Sequence, residues 1–169
     1  EDFVLDIQGE TIQSIGRRGK YILLNLVAGK ILVLHLGMTG GIRVQRRDQT
    51  PSDMVRHFFD LYDGRQIRFI DPRKFGHIWL VDDFQQVSHK MGPEPLEPTF
   101  TSNVLSEIVN ARQIPIKALL LDQAAIAGIG NLYADEVLFL SGIYPGTIAA
   151  DLSDSSVELL HRSILSTLA

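Results

Sequence analysis

Gly92-Pro93-Glu94-Pro95-Leu96-Glu97-Pro98 divides this sequence into halves of different periodicity. Its three prolines remove backbone donors and fix φ, so neither a strand nor a helix interior can run through it. Before it, apolar residues alternate in short runs broken by glycine-containing turns. After it, they recur at helical spacing. The division predicts an α+β protein with an N-terminal β portion at 1–92, a Pro-rich linker at 93–99 and a helical portion at 100–169.

On the N-terminal side the chain is expected to open directly into a strand-like pattern, with a first strand at 11–15. Runs 21–26 and 31–36 flank Val27-Ala28-Gly29-Lys30, a hairpin signal. Gly37-Met38-Thr39-Gly40-Gly41 breaks the pattern before 42–44, and polar residues 45–52 read as a loop. Runs 57–62 and 66–70 flank Asp63-Gly64, a strong two-residue hairpin signal. Asp71-Pro72-Arg73-Lys74-Phe75-Gly76 interrupts the β pattern, which resumes at 77–81. About seven short strands predict an antiparallel sandwich or barrel.

On the C-terminal side the spacing predicts helices over 103–112, 116–123, 132–141 and 156–168. Ser155 and Glu158 stand at capping-box spacing, Asn131 is placed to cap the third helix, and Gly142 to end it. Gly128-Ile129-Gly130-Asn131 precedes that helix, and N–H groups converging there suit an anion such as a phosphate. A tight turn between two core helices explains the same residues. A Rossmann loop does not, because the third glycine is missing and a helix precedes the loop.

Composition narrows the chemistry. The chain has 169 residues, 45% hydrophobic and 21% charged, as a globular protein does. It has no cysteine, which removes disulfides and thiolate zinc sites from these residues, and its histidines at 35, 57, 77, 89 and 161 lack metal-ligand spacing. No apolar run reaches the roughly 18 residues that span a membrane. A net charge of −4 disfavours non-specific nucleic-acid binding, although a local basic face acts independently of the total. Glu1 in place of an initiator Met, and an end inside a helical pattern, lead us to expect a fragment of a longer protein.

Three further stretches could carry chemistry. Arg17-Arg18-Gly19-Lys20 sets three cations before a strand, as a phosphate contact or a solvated basic turn. His35-Leu36-Gly37-Met38-Thr39-Gly40 puts a methionine on a glycine-flanked tip, as in side chains that wedge between base steps, or as a packing residue. Asp71-Pro72-Arg73-Lys74-Phe75-Gly76 places Arg beside Phe, which suits base stacking and phosphate pairing. The alternative is a bulge whose Phe75 enters the core while Asp71 caps the turn.

In this order, with Gly92-Pro93-Glu94-Pro95-Leu96 and Gly128-Ile129-Gly130-Asn131-Leu132-Tyr133-Ala134-Asp135-Glu136, these stretches resemble the signature segments of the bacterial formamidopyrimidine-DNA glycosylase family. The resemblance covers nearly the whole chain. It implies an N-terminal β-sandwich, here incomplete, followed by a truncated helix-two-turn-helix domain. It implies a monomeric, cytoplasmic, nucleoid-associated base-excision repair enzyme acting on double-stranded DNA, with no membrane partner. Such an enzyme excises 8-oxoguanine and formamidopyrimidines from flipped-out nucleotides and nicks the abasic strand by β,δ-elimination. By resemblance, Met38, Arg73 and Phe75 fill the void left by the flipped base. Lys20 serves at phosphates and as proton donor in elimination, and His35 holds a phosphate. Arg112, Lys117 and Asn131 join the helical DNA contact. The endonuclease VIII branch typically lacks the Met/Arg/Phe set, which favours the formamidopyrimidine branch.

The departures from the family pattern are informative. The family's nucleophile, an N-terminal proline in Pro-Glu-Leu-Pro-Glu, and the helix that carries it are absent from this sequence. So is its C-terminal four-cysteine zinc finger; zinc belongs to the full-length family, and no cofactor is expected in this chain. The histidines that often precede the Asp-Gly hairpin in the family, and contact phosphate there, are replaced near Met54 and Arg56. Met91 stands where leucine is usual. This chain alone is therefore expected to bind DNA without cutting it, and the alternative reading is a non-catalytic binder of abasic or distorted DNA.

Overall fold

The computed structural model describes residues 3–88 and 90–169; Glu1, on which the sequence opens, and His89, one of its five histidines, lie outside the described residues. The chain forms two compact units, Glu1–Val87 and Ser88–Ala169.

The first unit contains helix α1 (Phe3–Ile7) and strands β1 (Ile12–Arg18), β2 (Tyr21–Leu26), β3 (Ile31–His35), β4 (Gly41–Arg46), β5 (Val55–Asp60), β6 (Arg65–Ile70) and β7 (His77–Val81). The strands pair antiparallel into a sheet of order β1-β2-β3-β7 and a sheet of order β4-β6-β5. Strand alternation sends Leu24, Leu32 and Leu34 of the first sheet and Ile67 of the second into one core, with Ile42, Phe59 and Leu80 packed around it.

Three expectations change here. The chain opens in a helix, not a strand: Phe3 and Ile7, four residues apart, pack on the β core while Val4 and Leu5 stay exposed. Strand β1 also runs on through Arg17 and Arg18, so only Gly19 and Lys20 form the turn, with Gly19 at φ 54°. Similarly, β4 extends to Arg46, because Gln45 and Arg46 pair with Gln66 and Arg65.

The crossovers between the two sheets lie together. The chain leaves β3 at His35 and enters β4 at Gly41; it leaves β6 at Ile70 and enters β7 at His77. His35 pairs with His77, and Gly41 pairs with Ile70. Register therefore sets loops 36–40 and 71–76 side by side at one end of the sandwich. Tyr21 pairs with His35, which brings the Gly19-Lys20 turn to the same end.

The helical unit contains α2 (Ser102–Asn110), α3 (Ile116–Leu121), α4 (Asn131–Ser141) and α5 (Asp154–Leu168). Leu105, Val109, Leu119, Leu120, Ile126, Val137, Leu160 and Ile164 belong to its buried core. Ser153, not Ser155, caps α5 by accepting from the N–H of Ser156. Gly130, not Asn131, is the N-cap of α4, and Asn131 is its first helical residue. Gly142 ends α4 at φ 63°, in the left-handed conformation that glycine adopts without Cβ strain.

On the opposite face of β6 from Ile67, Arg68 is only 1% exposed. Its guanidinium donates to Gln66 Oε1 at 2.7 Å, Gln45 Oε1 at 3.1 Å and the carbonyls of Arg46 and Gln49. These bonds tie the β4–β5 connection onto the sheet. Arg68→Leu strands all four acceptors and is expected to destabilise this unit by about 3 kcal/mol, measured by urea unfolding.

Candidate nucleic-acid interface

The candidate interface in the β unit is built on Asp71. It is 1% exposed, and its carboxylate accepts from the N–H of Gly76 at 2.7 Å and of Arg73 at 3.2 Å. Closing the loop in this way demands an unusual backbone at its tip, where Lys74 takes φ 60°, rarely adopted by a residue with a side chain. The Gly76 N–H first, then those of Arg73 and Lys74 and the Arg56 charge, hold the Asp71 carboxyl below the usual carboxylate range, against the opposing effect of burial.

This closure turns side chains outward. Phe75 remains 49% exposed, so it does not enter the core, while Asp71 does cap the turn. The Arg73 guanidinium lies 4.9 Å from the centre of the Phe75 ring, a cation–π contact that holds the two together. Met38, on the neighbouring loop, is 72% exposed. The loops touch through backbone: a Cβ on Gly37 would lie 2.7 Å from the carbonyl of Phe75, and Gly37 itself sits at φ 64°. Only glycine fits there. Met38, Arg73 and Phe75 thus stand on two loops in direct contact.

A basic row borders them. His35 Nδ1 accepts from the Gly37 N–H at 3.3 Å, so a neutral His35 carries its proton on Nε2. Burial first, then the charges of His77 and Lys20, lowers the His35 pKa. Burial also lowers the pKa of the Lys20 ammonium, although the residue as a whole is exposed. Tyr21 packs on His35 at 5.0 Å between ring centres, and His77 stacks on Trp79 at 5.2 Å.

In the helical unit, Gln123 organises the loop before α4. Its side chain accepts from the Gly128 N–H at 2.9 Å and donates to the Ile129 carbonyl at 2.9 Å. The Gly128 N–H is therefore engaged internally and is not offered to an anion. The first i→i−4 bond of α4 runs from Ala134 to Gly130, so the N–H groups of Asn131, Leu132 and Tyr133 precede it at an exposed helix end. Lys117 pairs with Asp135 at 2.6 Å, one turn beyond Asn131 on α4. Arg112 is exposed just past α2, and its carbonyl accepts from the Ala150 N–H. The structure thus gathers Lys20, His35, Met38, Arg73 and Phe75 at one end of the β unit. In the helical unit it places Lys117 beside α4, whose first residue is Asn131.

Sequence reasoning missed two supports. Gln123 carries no motif signal. Arg56 stood out only as a departure from the family pattern, yet it donates to the Asp71 carbonyl at 2.8 Å.

Residues 1–78 match the model of the formamidopyrimidine-DNA glycosylase N-terminal domain, and residues 91–169 match that of the formamidopyrimidine-DNA glycosylase H2TH domain. Formamidopyrimidine-DNA glycosylase from Chloroflexus aggregans is 44% identical over 170 residues, covering 99% of this chain and 62% of the relative. That from Bacillus subtilis is 38% identical over 172 residues, with the same coverage. Among solved structures, a Lactococcus lactis Fpg in complex with abasic-site DNA is 34% identical with a TM-score of 0.89, covering 96% of this chain and 61% of that one. A complex of the Lactococcus lactis protein with DNA containing FAPY-dG superposes equally well and is covered to 62%. The chain thus spans about three fifths of the length of the proteins it matches. Two domain models of one family, in order along the chain, and a shared fold give a single conclusion: the chain belongs to the formamidopyrimidine-DNA glycosylase family.

Proposed function

We propose that this chain is the DNA-gripping portion of a base-excision repair glycosylase that acts on oxidised purines and abasic sites in double-stranded DNA. The observation that carries the reading is the pair of contacting loops that hold Met38, Arg73 and Phe75 outside the core. Exposed apolar side chains beside a guanidinium, on a braced support, suit the void left when a nucleotide leaves the stack. In the solved relatives the partner is abasic-site or FAPY-dG DNA, the substrate class that such a wedge fits.

The remaining residues take phosphate roles. His35 offers Nε2–H to a phosphate while Nδ1 holds Gly37. Lys20 pairs with phosphate near the lesion, and its lowered pKa suits it to give a proton during elimination. The open N–H groups at the start of α4, together with Asn131, Arg112 and Lys117, form the second phosphate contact. Lys117 can serve there despite Asp135, because a partly exposed ion pair contributes only about 0–1 kcal/mol and a phosphate can displace it.

In the full-length protein the activity is excision of 8-oxoguanine and formamidopyrimidines followed by β,δ-elimination, started by an amino-terminal proline. The side chains on the contacting loops and at the start of α4 supply grip and wedge to that chemistry. Zinc, held by cysteines in the family's finger, does not fit these residues: the sequence has no cysteine, and no group of three metal-ligating side chains exists among the described residues. No described helix is long and apolar enough to cross a membrane, and the bacterial relatives favour a cytoplasmic place beside the nucleoid.

Two outcomes are expected. Replacing Met38 and Phe75 together by Ala should weaken binding to abasic-site duplex roughly tenfold in a fluorescence titration, and leave undamaged duplex nearly unaffected. Equal loss on both duplexes would sink the wedge assignment. Borohydride should trap no adduct between this chain and an 8-oxoguanine duplex. A full-length protein opening on Pro-Glu should be trapped; failure of that trapping would refute the enzymatic reading.

A further inference from the structure

Strand β5 pairs with β6 through Val55–Ile70 and then His57–Phe69, so Arg56 is an extra residue opposite none. A bulge of this kind bends the strand and re-aims one side chain. Here the re-aimed guanidinium donates from Nε to the Asp71 carbonyl at 2.8 Å, from Nη2 to the Pro72 carbonyl at 3.4 Å and from Nη1 to the Asp53 carbonyl at 3.3 Å. The Asp71 N–H also donates to the Met54 carbonyl at 2.9 Å. Asp71 is thus held from the β5 side by Arg56 and Met54, while its carboxylate holds Arg73 and Gly76.

We propose that Arg56 is the positioning residue of the 71–76 loop: its fork fixes the Asp71 and Pro72 peptides and so sets the direction in which Arg73 and Phe75 leave the sheet. This rests on the wedge reading given above. Loop geometry alone requires the guanidinium, because three carbonyls in different directions match a planar fork and not the single ammonium of lysine. The cation also lies close enough to the Asp71 carboxylate to help keep it ionised. Arg56 is exposed, so direct phosphate contact is the competing role, and the two differ in what lysine can restore.

Arg56→Gln and Arg56→Lys are compared with the parent chain in two measurements. Hydrogen exchange reads the Arg73 and Gly76 amides without DNA. Both variants should speed these amides about tenfold and leave the β7 amides unchanged. Unchanged loop exchange would overturn the proposal. Titrations at several salt concentrations then compare abasic and undamaged duplexes. Both variants should lose most of the preference for the abasic duplex, with the slope of log K against log salt unchanged. Parent-like affinity in Arg56→Lys, or a slope reduced by about 0.9 on both duplexes in Arg56→Gln, would make Arg56 a phosphate contact and contradict the proposal. Loosened loop amides with an intact abasic preference would also contradict it. If the parent chain shows no preference for abasic duplex, the functional reading fails, while the exchange rates still decide whether Arg56 holds the loop.

Discussion

The bond from the Gly76 N–H to the Asp71 carboxylate, 2.7 Å long, is the constraint on which the functional end of the β unit depends. A six-residue connection between two sheets has many conformations, and most of them would let Phe75 turn inward. Asp71 removes that freedom by accepting from both ends of the turn and by tolerating the left-handed backbone at Lys74. Its carboxyl is kept ionised because backbone donors and Arg56 favour the charged form. The order of causes runs from a buried carboxylate to a closed loop, and from the loop to an exposed arginine and aromatic ring.

Topology supplies the second half of the arrangement. Because β3 pairs with β7 and β4 pairs with β6, both crossovers leave the sandwich at one end. The glycines at 37 and 76 then allow the closeness that register imposes. A Cβ on Gly37 would meet the Phe75 backbone, and one on Gly76 would meet the Phe69 ring at 2.4 Å and the Asp71 carboxylate at 3.0 Å. Met38 and the Arg73–Phe75 pair, 35 or more positions apart in sequence, come to one end of the unit because the β3–β7 and β4–β6 registers agree, and no local preference of those residues is needed.

Much of this was legible before the structure. Seven strands, the change to helices after the Pro-rich stretch and the glycine end of α4 follow from periodicity and turn chemistry. Met38 and Phe75 stood out in sequence on glycine-flanked breaks, but a packing Met38 and a core Phe75 fitted the same residues, and the folded loops are what leave both exposed. Other features depend on contacts that sequence does not encode locally. Helix α1 is short and is stabilised by the core beneath Phe3 and Ile7, so its five residues carry no clear period. The caps of α4 and α5 fell one and two residues early, since several polar or glycine residues there suit capping. Arg56, Gln123 and the Lys117–Asp135 pair act across 15, 5 and 18 positions of chain, and only the folded backbone brings those groups together.

In the proposed function, Asp71 preorganises the wedge. The direct measurement is the affinity of Asp71→Asn for an abasic-site duplex at neutral pH, with the fold checked by circular dichroism. Asparagine keeps the volume but can accept at only one oxygen, so one loop N–H loses its partner. Affinity should fall about tenfold with the sheet intact. Parent-like affinity in a folded Asp71→Asn chain would contradict the claim.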